Sequence, residues 1–406
     1  MIARPKMKLN QPINIWFAIL SVLIVMGLTS GIIVLVQGLS VTNLTDLIPW
    51  GLWIAIDLSS IALAAGAFSF CAAVYLLKLK ELEPMARTAA FIGLIGYTMA
   101  MMCLFLDIGR PERFWHGFAF WNTHSVLWEV TMCVGLYFSV LLLENLPTIA
   151  NLSWLKNKWP KLTEKMASVH HYAPYLAVAG LALSMLHQSS LGAMYGVIAA
   201  RPIWYRPGLA VLFFISAMAG GVAMTTLATL IVGRIKKGVN IKKSSIEKVL
   251  KFLGWLLVGY LYLRFWDLFA MTYTYQPGKA EGLKILTSGP LSFNLWFGEL
   301  LLGTLVPILL LFNSKTRKNE FFQILAVLLV VGGVIAYRWD TNMVGQLIVQ
   351  KPILNEFAPL YAQYSPSLIE IGVGAGIIAF GLMAFTIGVK YLKVVDHNEG
   401  TESSIV

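Results

Sequence analysis

Charged side chains are scarce in this chain. Asp, Glu, Lys and Arg make up 13% of its 406 residues, hydrophobic residues make up 58%, and the mean hydropathy is +0.72. Soluble domains carry about 25% charged residues, so the composition excludes an ordinary soluble domain. The net charge of +11 accompanies no motif of an RNA- or DNA-binding domain, and we expect no nucleic-acid partner. We predict an integral membrane protein, in which the few charges occupy selected places.

Cysteine is also rare, which limits the metal chemistry open to the chain. Cys71, Cys103 and Cys133 all lie inside apolar segments, and the sequence contains no CxxC or Cys/His cluster. Iron–sulfur and zinc sites need several such ligands at short spacing. We therefore expect no metal site and no iron–sulfur cluster held by this chain, and we interpret the cysteines as small core residues.

The histidines are too few for a two-haem cytochrome. They are His116, His124, His170, His171, His187 and His397. Two haems with two axial histidines each need two pairs on facing helices. His124 and His187 could form one outer pair, but His170 or His171 has no inner partner, because the other two histidines lie in an outer loop and in the tail. A single haem of the b type stays open as an alternative.

Long apolar runs dominate the rest of the chain. A spanning helix needs about 20 mostly apolar residues. Ten runs satisfy this: 14–37, 49–77, 86–106, 124–144, 168–190, 208–232, 247–271, 291–312, 321–340 and 366–391. We predict an all-α polytopic membrane protein with about ten transmembrane helices, in which residues 1–406 form a single integral membrane domain.

The distribution of Lys and Arg predicts the orientation of the chain. The N-terminus and alternate loops carry about 22 of them, whereas the opposite loops carry about 7. Cytoplasmic loops are enriched in Lys and Arg, so we expect both termini in the cytoplasm and the chain in the cytoplasmic membrane. The polar stretch 106–129 then faces outward.

Ionisable residues in or next to the predicted helices gather toward the outer side. They are Asp57, Asp107, Arg110, His124, Glu129, His187, Arg264, Asp267, Glu299, Arg338, Asp340 and Glu370. Intramembrane charges are costly, so a one-sided group of them indicates function. Single residues also have structural explanations: Arg264 and Asp267 could pair within one helix turn, and Arg338 with Asp340 could form a polar pair that caps the end of the ninth helix.

A quinone fits this set of residues. Aromatic side chains can stack on its ring, a histidine or arginine can bind its carbonyl, and acids or histidines can exchange the two protons of each redox turn. Two other classes stay open besides the haem protein: a secondary transporter and a proton-pathway subunit. Transporters usually place their sites near the membrane midplane, whereas these residues lie toward one side.

Several motifs resemble the NrfD/PsrC family. They are “IPWGLWIAIDL” (48–58), “LDIGRPERFWHGF” (106–118), “NTHSVLWEVTMCVGLY” (122–137), “MLHQSSLGAMYG” (185–196), “YRWDTNMVG” (337–345) and “SPSLIEIGVG” (365–374). Together they cover nearly the whole chain. They are most similar to the ten-helix branch that includes HybB, the membrane subunit of a periplasm-facing nickel–iron hydrogenase, and DsrP of a sulfate-reduction complex.

This resemblance implies a fold and a function. The family folds as two four-helix bundles related by a pseudo-twofold axis, with flanking helices in this branch. The predicted units are therefore a first helix (14–37), a first bundle (49–190), a second bundle (208–340) and a last helix (366–391). The family binds no haem or cluster itself and exchanges electrons between membrane quinone and a ferredoxin-like iron–sulfur subunit on the outer face. Its usual anaerobic settings favour menaquinone.

The resemblance also implies site residues. The quinone lining would be Trp50, Asp57, His124, Glu129 and His187. The rim and the docking surface for the partner would be Asp107, Arg110, Arg113 and Trp115. The proton-transfer candidates would be Asp57, Glu129, Asp267 and Glu299. Trp50, Trp53 and Trp128 could stack on the ring, although for Trp53 we expect a place in the membrane interface.

The chain is therefore expected to act within a larger assembly. Since no redox cofactor is expected on it, it would be the quinone-reactive subunit of an oxidoreductase complex, not an enzyme in isolation. Further cytochrome or catalytic subunits are expected partners. Proton exchange is expected in the outer half, because the inner half of the predicted helices is almost purely apolar.

Overall fold

The computed structural model describes residues 11–235, 242–274, 276–353 and 356–392. Ten of its helices are long and apolar enough to cross a membrane. They are α1 Gln11–Gln37, α2 Leu52–Leu76, α3 Glu83–Asp107, α4 Val126–Ala150, α5 Ala173–Gly196, α6 Gly208–Ile235, α7 Lys243–Tyr273, α8 Asn294–Phe312, α9 Glu320–Leu347 and α10 Leu368–Tyr391. The predicted all-α, multi-pass membrane class is confirmed. His397 and both chain ends lie outside the described residues.

Short elements connect these helices. The short α-helices are His116–Ala119, Ser153–Lys158, Pro160–Ser168, Lys279–Thr287 and Ser314–Lys318. Single 3-10 turns occupy Gly38–Val41, Lys80–Leu82, Pro111–Arg113 and Val169–Tyr172. Strands β1 Ile348–Ile353 and β2 Glu356–Tyr361 pair antiparallel. This small sheet lies in the segment 341–365, for which the sequence analysis had predicted no regular structure.

Side-chain caps fix where several helices begin. The Ser125 hydroxyl accepts a hydrogen bond from the Trp128 amide at the start of α4, and the Asn319 side chain accepts one from the Phe321 amide at the start of α9. Ser367 and Glu370 form a reciprocal capping box on α10. Such caps satisfy amide groups that have no partner within the helix.

Three helices end at least six residues later than their apolar runs indicated. α4 ends at Ala150, instead of 144. α5 spans Ala173–Gly196, instead of 168–190, and α9 continues to Leu347, instead of ending at 340. The prediction ended both at polar residues, but those residues are buried and the helices continue through them. As a result, His187 and Arg338 each lie nine residues before the last residue of their helix, as Arg264 does in α7. At 1.5 Å per residue this is about 14 Å from the helix end.

Two closed rings of helices form the body of the protein. In the first bundle, α2–α5, each helix packs against the next and α5 returns to α2; in the second bundle, α6–α9, α9 returns to α6 in the same way. α6 also packs along α2 and α5. The pseudo-twofold relation of the two bundles stays a prediction, as does the division of the chain into the four units. We call outer the side on which α2 begins and α3 ends, after the predicted orientation.

Glycines allow the closest contacts between helices. A Cβ on Gly221 of α6 would overlap the backbone of Gly66 and Ala67 on α2. On the periphery, α1 pairs with α10, where a Cβ on Gly27 would lie 2.6 Å from the Gly376 Cα. Such small-residue contacts bring helix backbones together in membranes. α2 therefore lies at the centre of the protein and is the most enclosed of the ten helices.

Candidate functional site

Five side chains of the first bundle have a buried polar atom without a hydrogen-bond partner among the described residues: Asp57, Asp107, Tyr137, Glu144 and His187. Two of them, Asp57 and His187, were candidates for the quinone lining. Asp57, five residues after the start of α2, is 3% exposed, and its Oδ1 is unpartnered among the described residues. His187 on α5 is fully buried, and its Nε2 is likewise unpartnered within the described chain. Since about 90% or more of buried polar groups in proteins are hydrogen-bonded, each of these two atoms is available to a ligand.

Tyr97 fixes the other side of the His187 ring. Its hydroxyl lies 2.6 Å from His187 Nδ1, and its ring packs edge-on against Tyr137, with centroids 4.6 Å apart. When the hydroxyl donates to Nδ1, the ring proton is on Nε2, which can then donate to an acceptor such as a carbonyl oxygen. The sequence analysis missed Tyr97, although it lies ten residues before the end of α3, at a depth similar to that of His187.

Glu129 contacts, through Ser190, the face of α5 that also carries His187. It is half-buried in the first turn of α4, and its Oε1 accepts a 2.6 Å hydrogen bond from the Ser190 hydroxyl. Ser190 and His187 are three residues apart on a helix, so their side chains share a face. The structure thus places Glu129 and His187 along one surface of α5, and their shared role in lining a quinone site stays a prediction.

Trp50 belongs to an aromatic cluster just before α2. Its ring stacks on Trp204, with centroids 5.7 Å apart and planes at 28°, and meets the edge of Tyr195 at 5.5 Å. Trp204 is itself held by a 2.6 Å hydrogen bond from its Nε1 to the Thr341 carbonyl. Neither Trp204 nor Tyr195 was a candidate, because their contacts with Trp50 join segments far apart in the sequence.

Trp53 does not lie in the membrane interface. It is 1% exposed, and its Nε1 donates a 3.0 Å hydrogen bond to the Glu370 carbonyl on α10. The expected interfacial position is therefore wrong. α10 packs over this side of α2, and the sequence could not show that contact.

The loop between α3 and α4 is largely exposed. His124 precedes α4 and is solvent-accessible, so it does not share the buried environment of His187. Its contribution to a lining stays a prediction. Trp128 holds the loop against α4 through a 3.0 Å hydrogen bond from its Nε1 to the Gly117 carbonyl. At the end of α3, Asp107 is half-buried, with one carboxylate oxygen unpartnered among the described residues.

The rim residues form an exposed aromatic and basic surface. Arg110, Arg113 and Trp115 are exposed, and Arg113 makes only a 3.9 Å ion pair with Glu112. Exposed ion pairs of this kind contribute little to stability. The loop surface consists of these residues and the exposed rings of Phe114, Phe118, Phe120 and Trp121.

In the second bundle three buried charges, Arg264, Asp267 and Glu299, bind one another. Arg264 donates to Glu299 at 2.7 and 3.1 Å and to Asp267 at 2.8 Å, so the expected pairing of Arg264 with Asp267 is present. It is one part of a larger network, because Asp267 also accepts from Arg206 at 2.6 Å and Glu299 accepts from Tyr260 at 2.6 Å. Residues Asn294–Leu305 of α8, which carry Glu299, are a π-helix.

Arg338 and Asp340 do not form the expected pair. The Arg338 Nη2 donates to the Phe213 carbonyl at 2.8 Å and to the Ser216 hydroxyl at 3.1 Å, while Asp340 accepts from Asn294 at 2.8 Å. No ion pair joins Arg338 to Asp340 in the described parts of the chain. Residues two apart on a helix do not face each other, and both lie inside α9, so the predicted cap at its end is wrong.

Two basic side chains donate hydrogen bonds to backbone carbonyls in the outer connections between helices. Arg201 donates to the Leu47 carbonyl at 2.9 Å and to the Gln346 carbonyl at 3.2 Å, and burial lowers the pKa of its guanidinium group. Lys279 donates to the Tyr205 carbonyl at 3.2 Å, and burial, together with nearby Arg206, lowers the pKa of its ammonium group. These bonds hold the segment 197–207 over both bundles.

The arrangement defines a class of protein: a multi-pass membrane protein with two helical bundles, both of which contain buried polar atoms without hydrogen-bond partners among the described residues. Across the described residues no group of three or more His, Cys, Asp or Glu side chains could hold a metal ion. The family model described as “Polysulphide reductase, NrfD” matches residues 40–350. The chain belongs to this family, as the sequence motifs indicated.

Three relatives match this chain over at least 90% of its length. The integral membrane subunit of a menaquinone reductase from Nitratidesulfovibrio vulgaris is 32% identical over 93% of this chain and 91% of its own length. One of the subunits of the selenate reductase of Mesobacillus selenatarsenatis is 25% identical over 94% of both chains. A probable Ni/Fe-hydrogenase 2 b-type cytochrome subunit of Escherichia coli is 26% identical over 90% of both.

Proposed function

We propose that this chain is the quinone-reactive membrane subunit of a respiratory oxidoreductase complex. The observation that carries the proposal is the pair of buried, unpartnered atoms in the first bundle, Asp57 Oδ1 and His187 Nε2. A quinone carbonyl accepts a hydrogen bond, and its reduction takes up protons, so these two atoms match its needs. The relative that is named a menaquinone reductase subunit supports menaquinone as the substrate.

The residues around these atoms have distinct proposed roles. His187 donates from Nε2 to a quinone carbonyl, with Tyr97 holding the ring in that tautomer. Asp57 exchanges the proton, because its free oxygen lies in the same bundle. Trp50 forms an aromatic wall, and Glu129, bonded to Ser190, is a second proton-transfer candidate. Asp267 and Glu299 remain candidates in the second bundle, although each already binds an arginine.

The electron partner is proposed to dock on the loop surface. A ferredoxin-like iron–sulfur subunit would cover the exposed rings there and contact Arg110 and Arg113, with Asp107 at the rim. Exposed aromatic and arginine side chains are enriched at protein interfaces. The proposal puts the partner on the outer side of the cytoplasmic membrane and both termini in the cytoplasm, in accord with the predicted orientation. Further cytochrome or catalytic subunits would complete the assembly.

We further propose that this chain carries no haem and no iron–sulfur cluster. The only fully buried histidine among the described residues is His187, and one of its ring nitrogens already binds Tyr97. Because one relative is named a b-type cytochrome subunit, the absorbance spectrum of the purified chain is a direct check. A reduced-minus-oxidised Soret band that is stoichiometric with the chain would favour the single-haem alternative.

The central test is binding of a quinol analogue. The full chain in lipid nanodiscs is titrated with a fluorescent hydroxyquinoline N-oxide, whose emission is quenched on binding. We expect a saturable site in the wild type and at least about tenfold weaker binding in His187→Phe, since one hydrogen bond and its proton are lost. His170→Phe, an exposed histidine at the opposite end of α5, is the control. Equal binding by all three chains would contradict the proposal.

A further inference from the structure

The backbone of Trp50 is held by a side chain from the second bundle. The Trp50 amide donates to Gln346 Oε1 at 2.9 Å, and Gln346 Nε2 donates to the Trp50 carbonyl at 2.7 Å. A single side-chain amide thus binds both polar groups of this residue, as a neighbouring β-strand would. Gln346 is buried and lies on α9, in the part of the helix that extends beyond the predicted end.

Asn342, one turn earlier on α9, adds to this contact. Its Nδ2 donates to the Trp50 carbonyl at 2.9 Å, and its Oδ1 accepts from the Tyr195 hydroxyl at 3.1 Å. The Tyr195 ring in turn meets the edge of the Trp50 ring. Gln346 and Asn342 therefore fix both the backbone of Trp50 and one of its ring neighbours.

Tyr364, which precedes α10, and Glu370 on α10 contact the start of α2 from the opposite side. The Leu52 amide donates to the Tyr364 hydroxyl at 2.8 Å, and that hydroxyl donates to Glu370. A Cβ on Gly51 would collide with these same groups. The start of α2 is thus bound from two sides by residues that follow it by about 290 positions or more.

We infer that Gln346 and Asn342 are positioning residues for the quinone site, which couple the second bundle to the first. Neither residue contacts an atom that is proposed to react with the quinone. They act through Trp50, which would form the aromatic wall, and through the start of α2, on which Asp57 lies five residues further along. Because a helix moves as a unit, a shift of its first turn displaces both groups relative to His187. This inference rests on the proposed quinone function.

Gln346→Leu removes both hydrogen bonds to Trp50 with little change in volume. We expect about tenfold weaker binding of the hydroxyquinoline N-oxide in nanodiscs, which corresponds to about 1.4 kcal/mol. In the complete complex we expect a raised KM for quinol and an almost unchanged kcat, since the reacting groups remain. Burial favours the neutral form of the Glu in Gln346→Glu, which keeps an acceptor for the Trp50 amide and one O–H donor for the Trp50 carbonyl, so its effect should be smaller and in the same direction.

Gln323→Leu is the matched control. Gln323 is also a buried glutamine of α9, and it donates to the Arg317 carbonyl at the other end of the helix. It should lower thermal stability without changing the binding of the analogue. Unchanged affinity in both Gln346 variants, beside a wild type that binds, would overturn the inference alone. If the wild type binds no analogue, the proposed function is overturned instead. If Gln346→Leu does not fold, Gln346→Glu is used in its place.

Discussion

The two bundles have similar helix packing but differ in the ion pairing of their buried charges. In the second bundle the buried charges Arg264, Asp267 and Glu299 bind one another. In the first bundle Asp57 and His187 each keep a free polar atom within the described structure. The number of charges would have pointed to the second bundle as the site. Buried unpartnered atoms occur in both bundles of the described structure, on Tyr337, Arg338 and Asp340 of the second as on Asp57 and His187 of the first. What sets the second bundle apart is the ion-pair network of Arg264, Asp267 and Glu299.

This difference has an energetic reason. A buried ion pair adds little net stability over apolar residues, but the loss of one partner leaves a desolvated charge and is costly. The Arg264 network therefore favours a fixed structure. An unpartnered buried atom costs about 1–3 kcal/mol, which a ligand that binds it can recover. The predictions below test this contrast, beginning with the largest effect.

Glu299→Leu should destabilise the protein most. It removes two of the hydrogen bonds of Arg264 and leaves that buried cation with Asp267 alone. We expect the free energy of unfolding to fall by about 3 kcal/mol, the lower end for a broken buried pair, because Asp267 remains. Unfolding in mixed detergent and dodecyl sulfate micelles measures it. The double variant Arg264→Met, Glu299→Leu should recover part of the loss, and an equal or greater loss would contradict a paired network.

Asp57→Asn should affect activity and leave stability almost unchanged. The substitution keeps the shape of the side chain and removes its ability to exchange a proton. We expect kcat/KM for quinol in the complete complex to fall about a hundredfold, within the usual range for a lost acid–base group. The free energy of unfolding should change far less than in Glu299→Leu. A drop in stability with normal turnover would return Asp57 to a structural role.

Tyr97→Phe should have an intermediate effect. It leaves His187 Nδ1 without the hydroxyl that fixes its tautomer. We expect about tenfold lower quinol turnover, equivalent to about 1.4 kcal/mol, because part of the His187 population then presents the wrong nitrogen. Steady-state kinetics with a water-soluble quinol measure this. Turnover at the wild-type rate would show that Tyr97 does not orient the ring.

Tyr337→Phe is the counterpart in the second bundle and should have the smallest effect. The Tyr337 hydroxyl is buried and unpartnered in the described structure. Its removal should leave quinol turnover unchanged and raise the free energy of unfolding by about 1 kcal/mol, because an unsatisfied group is lost. If turnover fell as far as in Tyr97→Phe, the second bundle would also have to contain a site for quinol chemistry.

The sequence predicted the features that depend on residues close together along the chain. Apolar runs located all ten helices, and spacing predicted the pairing of Arg264 with Asp267. Contacts between distant segments were not predictable in this way: Tyr97 meets His187 across 90 positions, and Trp50 meets Gln346 across 296. Periodicity shows which residues share a helix face but not which helix covers that face. For the same reason Trp53 was placed at the interface and not beneath α10.

The central position of α2 also has a consequence for synthesis in the cell. α2 enters the bilayer before α6, its close partner at Gly66 and Gly221, has been translated. About 150 residues separate Asp57 from the start of α6, and at about 5–20 residues per second their synthesis takes about 8–30 s. The residues that form hydrogen bonds with Trp50 and Leu52 are translated later still. The proposed site, which includes Trp50 and Asp57 near the start of the chain, would therefore be completed only after the last helices have been inserted.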